Sequence, residues 1–232
     1  MQAHNPQIFD CSWETGLAIL NLYLAMSALT LHLGLDRPSS APNPANKKKK
    51  VLIWGASSSF GLSATRVAVD AGYSVVGAAS AHNADLVRSA GVGEFADRKS
   101  ASVVHDLVAM GPFFAVLAAN DSAQDQNLLG AVLKAQGGGT ILSTMGLRGG
   151  VVLPEGVTVT FAQFLDDYLV PENADFIEWV WWNYMENIAR AGTVVTTKTQ
   201  FAGGLSNVQD AWDLLKSGSL SGTRLIIQPD LE

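Results

Sequence analysis

From about residue 50 onward, short apolar runs alternate with longer stretches in which apolar positions recur at helical spacing. The runs near 51–54, 74–79, 94–96, 114–118, 139–143 and 224–228 are rich in Val, Ile, Leu and Ala, and they predict buried strands. The stretches near 61–71, 82–90, 100–109, 122–135, 172–190 and 205–217 predict helices. Near-continuous apolar strands separated by helices long enough to cross back over a sheet imply parallel strands covered on both faces. The expected architecture is therefore α/β, a doubly wound parallel sheet of Rossmann type with an N-terminal apolar helix. In the 172–190 segment Phe176, Val180, Tyr184 and Ile188 fall on one helical face. That face is read as packing on the sheet, with a substrate wall as the alternative.

Ahead of this alternation the pattern changes. The first 10 residues read as a frayed terminus and residues 12–33 as one apolar helix. The run 16–35 is long enough to suggest a membrane span, but Asn21, Ser27, Thr30 and His32 interrupt it and no basic cluster flanks it closely. A buried or interface helix is the expectation, with no membrane partner. Residues 36–46 hold Pro38, Pro42 and Pro44 among turn formers and read as a linker. Two parts follow from this: 1–46, the helix and its linker, and 47–232, the Rossmann-like unit.

Composition narrows the function. With 48% apolar residues, 16% charged residues and a net charge of −6, the chain has the make-up of a core-rich globular protein without the concentrated basic face that nucleic acid requires. Lys47–Lys50 is the one basic run and reads as a solvated lead-in to a buried strand. The lone Cys11 rules out a disulfide framework or thiolate zinc site within the chain, and with no basic-then-apolar leader it points to a reducing, cytoplasmic setting. His4, His32, His82 and His105 lack metal-ligand spacing, so no metal is expected.

The chemistry concentrates at WGASSSFG, residues 54–61, which follows a predicted strand and opens a predicted helix. Gly55 permits a sharp turn out of the strand. Gly61 permits close approach of helix and strand and leaves amides facing a pyrophosphate, while Ser57, Ser58 and Ser59 add hydroxyls. An NAD site wants a carboxylate at the end of the second strand to hold the ribose hydroxyls; here that end reads Ala78, Ala79, Ser80. Ser80, His82 and Asn83 can instead donate to a 2′-phosphate, and Arg98 and Lys99 add positive charge, although an ordinary solvated loop accounts for these two equally well. If a dinucleotide binds, NADPH is favoured over NADH.

Rival classes lack their signatures. There is no Gly-Lys-Ser/Thr for a Walker loop and no Gly-x-Ser-x-Gly elbow for a serine hydrolase. The Gly-x-Gly-x-Gly and acidic strand end usual in methyltransferases are also missing. Short-chain dehydrogenases place a Lys four residues after a Tyr; here Tyr23, Tyr73, Tyr168 and Tyr184 are followed by Ser27, Gly77, Glu172 and Ile188. Asp166, Asp167, His32 and Tyr184 are the candidate acid/base groups, none strong enough to assign, so the catalytic residues stay open.

Three stretches, VLIWGASSSFGLSATRVAVDAGY, AHNADLVRSAGVGEFADRKSASVV and GGLSNVQDAWDLLKSGSLSGTRLIIQP, resemble the medium-chain dehydrogenase/reductase superfamily, nearest to its zinc-free fungal enoyl reductases that act in trans with polyketide synthases. Ala28-Leu29-x-x-x-Leu33-Gly34-Leu35 resembles the helix that precedes the nucleotide domain there. The resemblance implies that Gly55, Ser57, Ser58 and Gly61 face the pyrophosphate, that Ser80 and Asn83 lie by the 2′-phosphate, and that Arg98 takes the place of a common tyrosine. It also implies that Leu142–Gly146 approaches the nicotinamide. Leu24-Ala25 stands where relatives often have Thr-Ala. Such proteins begin with a GroES-like catalytic domain that these 232 residues do not include. The resulting expectation is an NADPH-dependent enoyl reductase of secondary metabolism acting on an apolar, polyketide-derived small molecule, self-associating as a homodimer or larger homo-oligomer through the 16–35 helix. A non-redox cyclase, isomerase or dehydratase reusing the cleft and a non-catalytic partner-binding module are the alternatives.

Overall fold

In a computed structural model, which describes residues 13–191 and 195–229, the chain forms a six-stranded parallel sheet flanked by helices and a separate two-stranded sheet. The expected frayed terminus, Cys11 and His4 lie outside the described residues. The main sheet comprises β1 (Lys50–Trp54), β2 (Ser74–Ala79), β3 (Glu94–Asp97), β4 (Phe113–Ala118), β5 (Gly139–Ser143) and β6 (Val157–Thr160). Their spatial order is β3-β2-β1-β4-β5-β6, all parallel, the order of a doubly wound dinucleotide-binding sheet.

Strand β1 shows why the sequence must fold this way. Val51 and Ile53 join the hydrophobic cluster on one face, Leu52 and Trp54 the cluster on the other, and all four are buried. Alternation with period two thus feeds two cores at once, and each fully buried aliphatic side chain contributes about 1.5–3 kcal/mol. Helices α2 (Ser59–Asp70) and α3 (Ala84–Ser89) follow β1 and β2; α4 (Val103–Met110) and α5 (Ala123–Ala135) follow β3 and β4. Helix α5 opens on a capping box, in which Ser122 and Asp125 each accept from the other's backbone amide.

The N-terminal helix α1 (Trp13–Ser27) runs on into a π turn over Ala28–His32. Leu22, Ala25, Met26, Ala28 and Leu29 are buried in the same cluster as Val51, Ile53 and the α2 residues Ala64, Val67 and Ala68. No helix among the described residues is long and apolar enough to cross a membrane. The 36–46 segment is tied down along its course: fully buried Asn46 donates through Nδ2 to Asp36 and to the Ala71 carbonyl, both at 2.9 Å.

The predicted 172–190 helix is continuous in outline but changes pitch, from α6 (Ala174–Trp179) through a π turn (Val180–Met185) to α7 (Glu186–Ala191). Phe176, Val180, Tyr184 and Ile188 all face the core, so the helix packs on the domain. Strand β7 (Lys198–Phe201), helix α8 (Val208–Lys216) and strand β8 (Thr223–Ile226) complete the chain. The strand expected near 224–228 pairs only with β7, in a separate parallel pair; it does not extend the main sheet.

Candidate nucleotide site

The sheet reverses its winding between β1 and β4, and loops beyond the strand ends part there to leave a crevice. The loop after β1 fills its floor. Gly55 has φ +77°, and a Cβ on it would lie 2.9 Å from the Asn120 amide nitrogen. At Gly61 a Cβ would overlap the Gly55 carbonyl oxygen and lie 2.9 Å from Ala56 Cα. Both glycines are therefore required by the close approach of β1, its loop and α2. The Gly55 and Ala56 amides donate to the Ala78 carbonyl at 2.9 and 3.0 Å, which fixes the loop to the end of β2.

Ser58 caps α2: its hydroxyl oxygen accepts from the Gly61 amide at 3.0 Å. Its lone pair is thus engaged, and its hydroxyl hydrogen remains available to an anion. The Ser59 and Phe60 amides stand in the first helical turn, where no helical carbonyl precedes them. Positive helix-end potential and these donors suit a phosphate.

A cleft of about 360 Å³ opens over the loop, lined on one side by Gly55, Ser57, Ser58, Ser80 and Arg98. Arg98 is held at the end of β2 by its amide, which donates to the Ala79 carbonyl at 2.9 Å. His82 and Lys99 line the same end, and among the described residues the cleft has no carboxylate in its lining. A second compartment of about 630 Å³ shares Arg98, Lys99 and Asn120 and adds the apolar Val103, Val104 and Leu128 together with the carboxylates Asp121 and Asp125. Gly61 lies beneath the loop. Asn83 is buried behind it, with both Nδ2 hydrogens engaged by Ser57 Oγ at 3.2 Å and Ser221 Oγ at 2.7 Å.

Leu142–Gly146, expected beside the nicotinamide, leaves β5 next to β4 and is not among the residues that line either cleft. The Thr144 amide donates to the Ala118 carbonyl at 3.1 Å and the Thr144 hydroxyl to Ala119 at 3.2 Å. Buried Gln126 holds the following turn, donating to the Gly146 carbonyl at 2.7 Å and to Asp121 Oδ2 at 3.0 Å while accepting from the Arg148 amide at 2.9 Å. Arg148 Nε lies 3.5 Å from the buried Asp121 carboxylate.

The candidate acid/base groups gather elsewhere. His32 Nε2 lies 2.8 Å from Asp167 Oδ2, and the Ser27 hydroxyl donates to the same oxygen. Serine and histidine share one carboxylate oxygen here, whereas a nucleophilic triad would place histidine between the other two. Asp166 is exposed. Tyr184 donates to Asp70 Oδ2 at 3.0 Å; burial first, then the neighbouring Asp70 charge, holds its hydroxyl well above the ordinary tyrosine range. Leu24, where the resemblance sets a threonine in other proteins, packs against the core around α1.

The opposite wall carries no motif that predicts it. Residues 218–223 line the cleft, as do Thr197 and Asn120. The Gly-Ser repetition in SGSLSG, residues 217–222, was the available signal, since hydroxyls and free backbone at a strand entrance suit phosphate.

No family profile matches the chain. It is 33% identical over 214 residues to the trans-enoyl reductase himH of Aspergillus japonicus, covering 91% of this chain and 61% of that protein. It is 26% identical to the trans-enoyl reductase ffsC of Aspergillus flavipes over 238 residues, with 92% of this chain and 61% of that protein covered. The chain therefore spans about 61% of the length of these curated relatives. Among solved structures, CurA of Vibrio vulnificus in complex with NADPH has a TM-score of 0.59 at 16% identity, covering 91% of this chain and 63% of that one. These structural matches show the fold alone: a doubly wound parallel α/β sheet of Rossmann type.

Proposed function

We propose that this chain, whose homologues are fungal trans-enoyl reductases, binds NADPH in the crevice over Gly55–Gly61 and serves reduction of an activated alkene on an apolar, polyketide-type molecule. The observation that carries the cofactor is the charge arrangement at the end of β2: Arg98, Lys99 and His82 line it, with no carboxylate among the described residues of the lining. A 2′-phosphate there gains attraction, and the ribose pair of NADH finds no acceptor.

Bound there, NADPH supplies a hydride. The chain's own residues bind and orient. Gly55 and Gly61 admit the pyrophosphate to the backbone, the first turn of α2 and the serine hydroxyls donate to it, and Arg98 neutralises the 2′-phosphate. The Asp121–Gln126–Arg148 network braces the turn that follows β5 through hydrogen bonds to the Gly146 carbonyl and the Arg148 amide.

Calorimetric titration with NADPH and NADH tests the reading. NADPH is expected to bind at least tenfold more tightly, and Arg98→Ala is expected to remove most of that ratio. No heat or spectral change up to about 1 mM NADPH, a binding free energy weaker than about −4 kcal/mol, would refute it.

A further inference from the structure

The cleft has two walls. The loop after β1 makes one, and the strap formed by residues 217–223, just ahead of β8, makes the other. Side-chain contacts tie the strap and the neighbouring entrance to β7 to the first wall. Asn83, at the end of a short 3₁₀ turn after β2, spends both Nδ2 hydrogens across the gap, on Ser57 Oγ and on Ser221 Oγ. Ser59 Oγ lies 3.3 Å from Thr197 Oγ1, at the entrance to β7. The β7–β8 pair forms a sheet of its own, and these contacts register its leading edge over the nucleotide loop.

Backbone conformation at the strap agrees. Gly218 and Gly222 have φ of +68° and +64°. A Cβ on Gly222 would lie 2.7 Å from Asn83 Oδ1, so the strap approaches this amide as closely as a bare backbone allows. Ser221 is itself exposed, while Asn83 and Thr197 are buried. The arrangement is thus a fixed buried anchor gripping an exposed segment.

We propose that Asn83 is a positioning residue that clasps the 217–223 strap onto the nucleotide loop, making the strap's hydroxyls the outer wall of the nucleotide site. Ser221 accepts from Asn83 and keeps its own hydrogen to donate outward, and Ser57 stands in the same relation on the inner wall. A phosphate between the walls meets donors from both. The affinity part of this proposal rests on the NADPH reading above; the clasp itself does not.

Hydrogen exchange and nucleotide binding test the two parts separately. In the nucleotide-free protein, Asn83→Ala and Ser221→Ala are each expected to speed exchange of the amides of 218–223, with β1 and β2 unchanged. Unchanged exchange of the strap in Ser221→Ala, whose exposed site leaves folding intact, overturns the clasp. With NADPH, each single variant is expected to weaken binding about 5- to 20-fold, and the double variant no further than the weaker single. Ser221→Thr, which retains the hydroxyl, is expected to restore affinity. Additive losses, or failure of Ser221→Thr to restore, would show independent contacts and no clasp. If the unaltered protein does not bind NADPH, the functional reading falls and the exchange comparison still decides the clasp.

Discussion

Single positions in the nucleotide loop carry constraints that no other residue type meets. Gly61 sits inside the first turn of a helix, where alanine would ordinarily gain about 1 kcal/mol from propensity alone. The Gly55 carbonyl and Ala56 Cα occupy the space its Cβ would need. The clash outweighs the propensity because neither obstacle is the end of a flexible side chain. Gly61→Ala is expected to destabilise the protein by about 1–3 kcal/mol in urea unfolding and to weaken NADPH binding, since α2 must withdraw from β1. Equal or higher stability would mean that α2 can shift without cost. Asn83 teaches a related lesson. Its residue type suits a phosphate, but its donors are already committed to Ser57 and Ser221.

At the scale of elements, the helix pair α1–α2 and the segment α6–α7 meet around Tyr184. Its hydroxyl donates to Asp70, which also forms an ion pair with Arg66 one turn earlier on α2. The raised ionisation of Tyr184 makes folding resist phenolate formation. The unfolded chain ionises from about pH 10, while the folded one stays protonated, so this contribution is complete below about pH 10 and is lost above it. Tyr184→Phe is expected to cost about 1 kcal/mol at neutral pH and to shrink in cost as pH rises beyond about 10. A cost independent of pH across chemical unfolding curves at pH 8 and 10.5 would disprove the coupling.

The same elements show what the sequence made legible. The five strands β1–β5, the paired cores and the loop after β1 follow from apolar runs and glycine placement, which act locally. Strand β6 was missed because VTVT, residues 157–160, is short and only half buried, and β7 because KTQF, residues 198–201, has little apolar character. The pairing of β8 with β7 away from the main sheet, and the strap it brings over the cleft, depend on contacts far apart in sequence. Local periodicity carries no trace of those.

For the whole molecule, the distribution of uncovered apolar surface bears on assembly. Most of the apolar side of α1 is spent within the chain, against α2 and the sheet. Among the described side chains Leu20 and Leu31 are exposed there, as are Trp181 and Trp182 of the π turn, and Trp181 is tilted against Tyr23 of α1 at 5.4 Å between ring centroids. A second open face runs along α8 and β7, where Phe201, Val208, Trp212 and Leu215 are exposed. We propose self-association through the first face, because α1 is anchored in the core and joined to the aromatic turn by the Tyr23–Trp181 contact, while α8 buries only Ala211. Light scattering at micromolar concentration is expected to give a mass above one 24.5 kDa chain. Leu20→Glu with Leu31→Glu is expected to return it to one chain, since two charges per copy across a symmetric contact face their own images. Trp212→Glu is expected to leave it unchanged. A single-chain mass for the unaltered protein, or a fall in mass with Trp212→Glu alone, would move the contact away from α1.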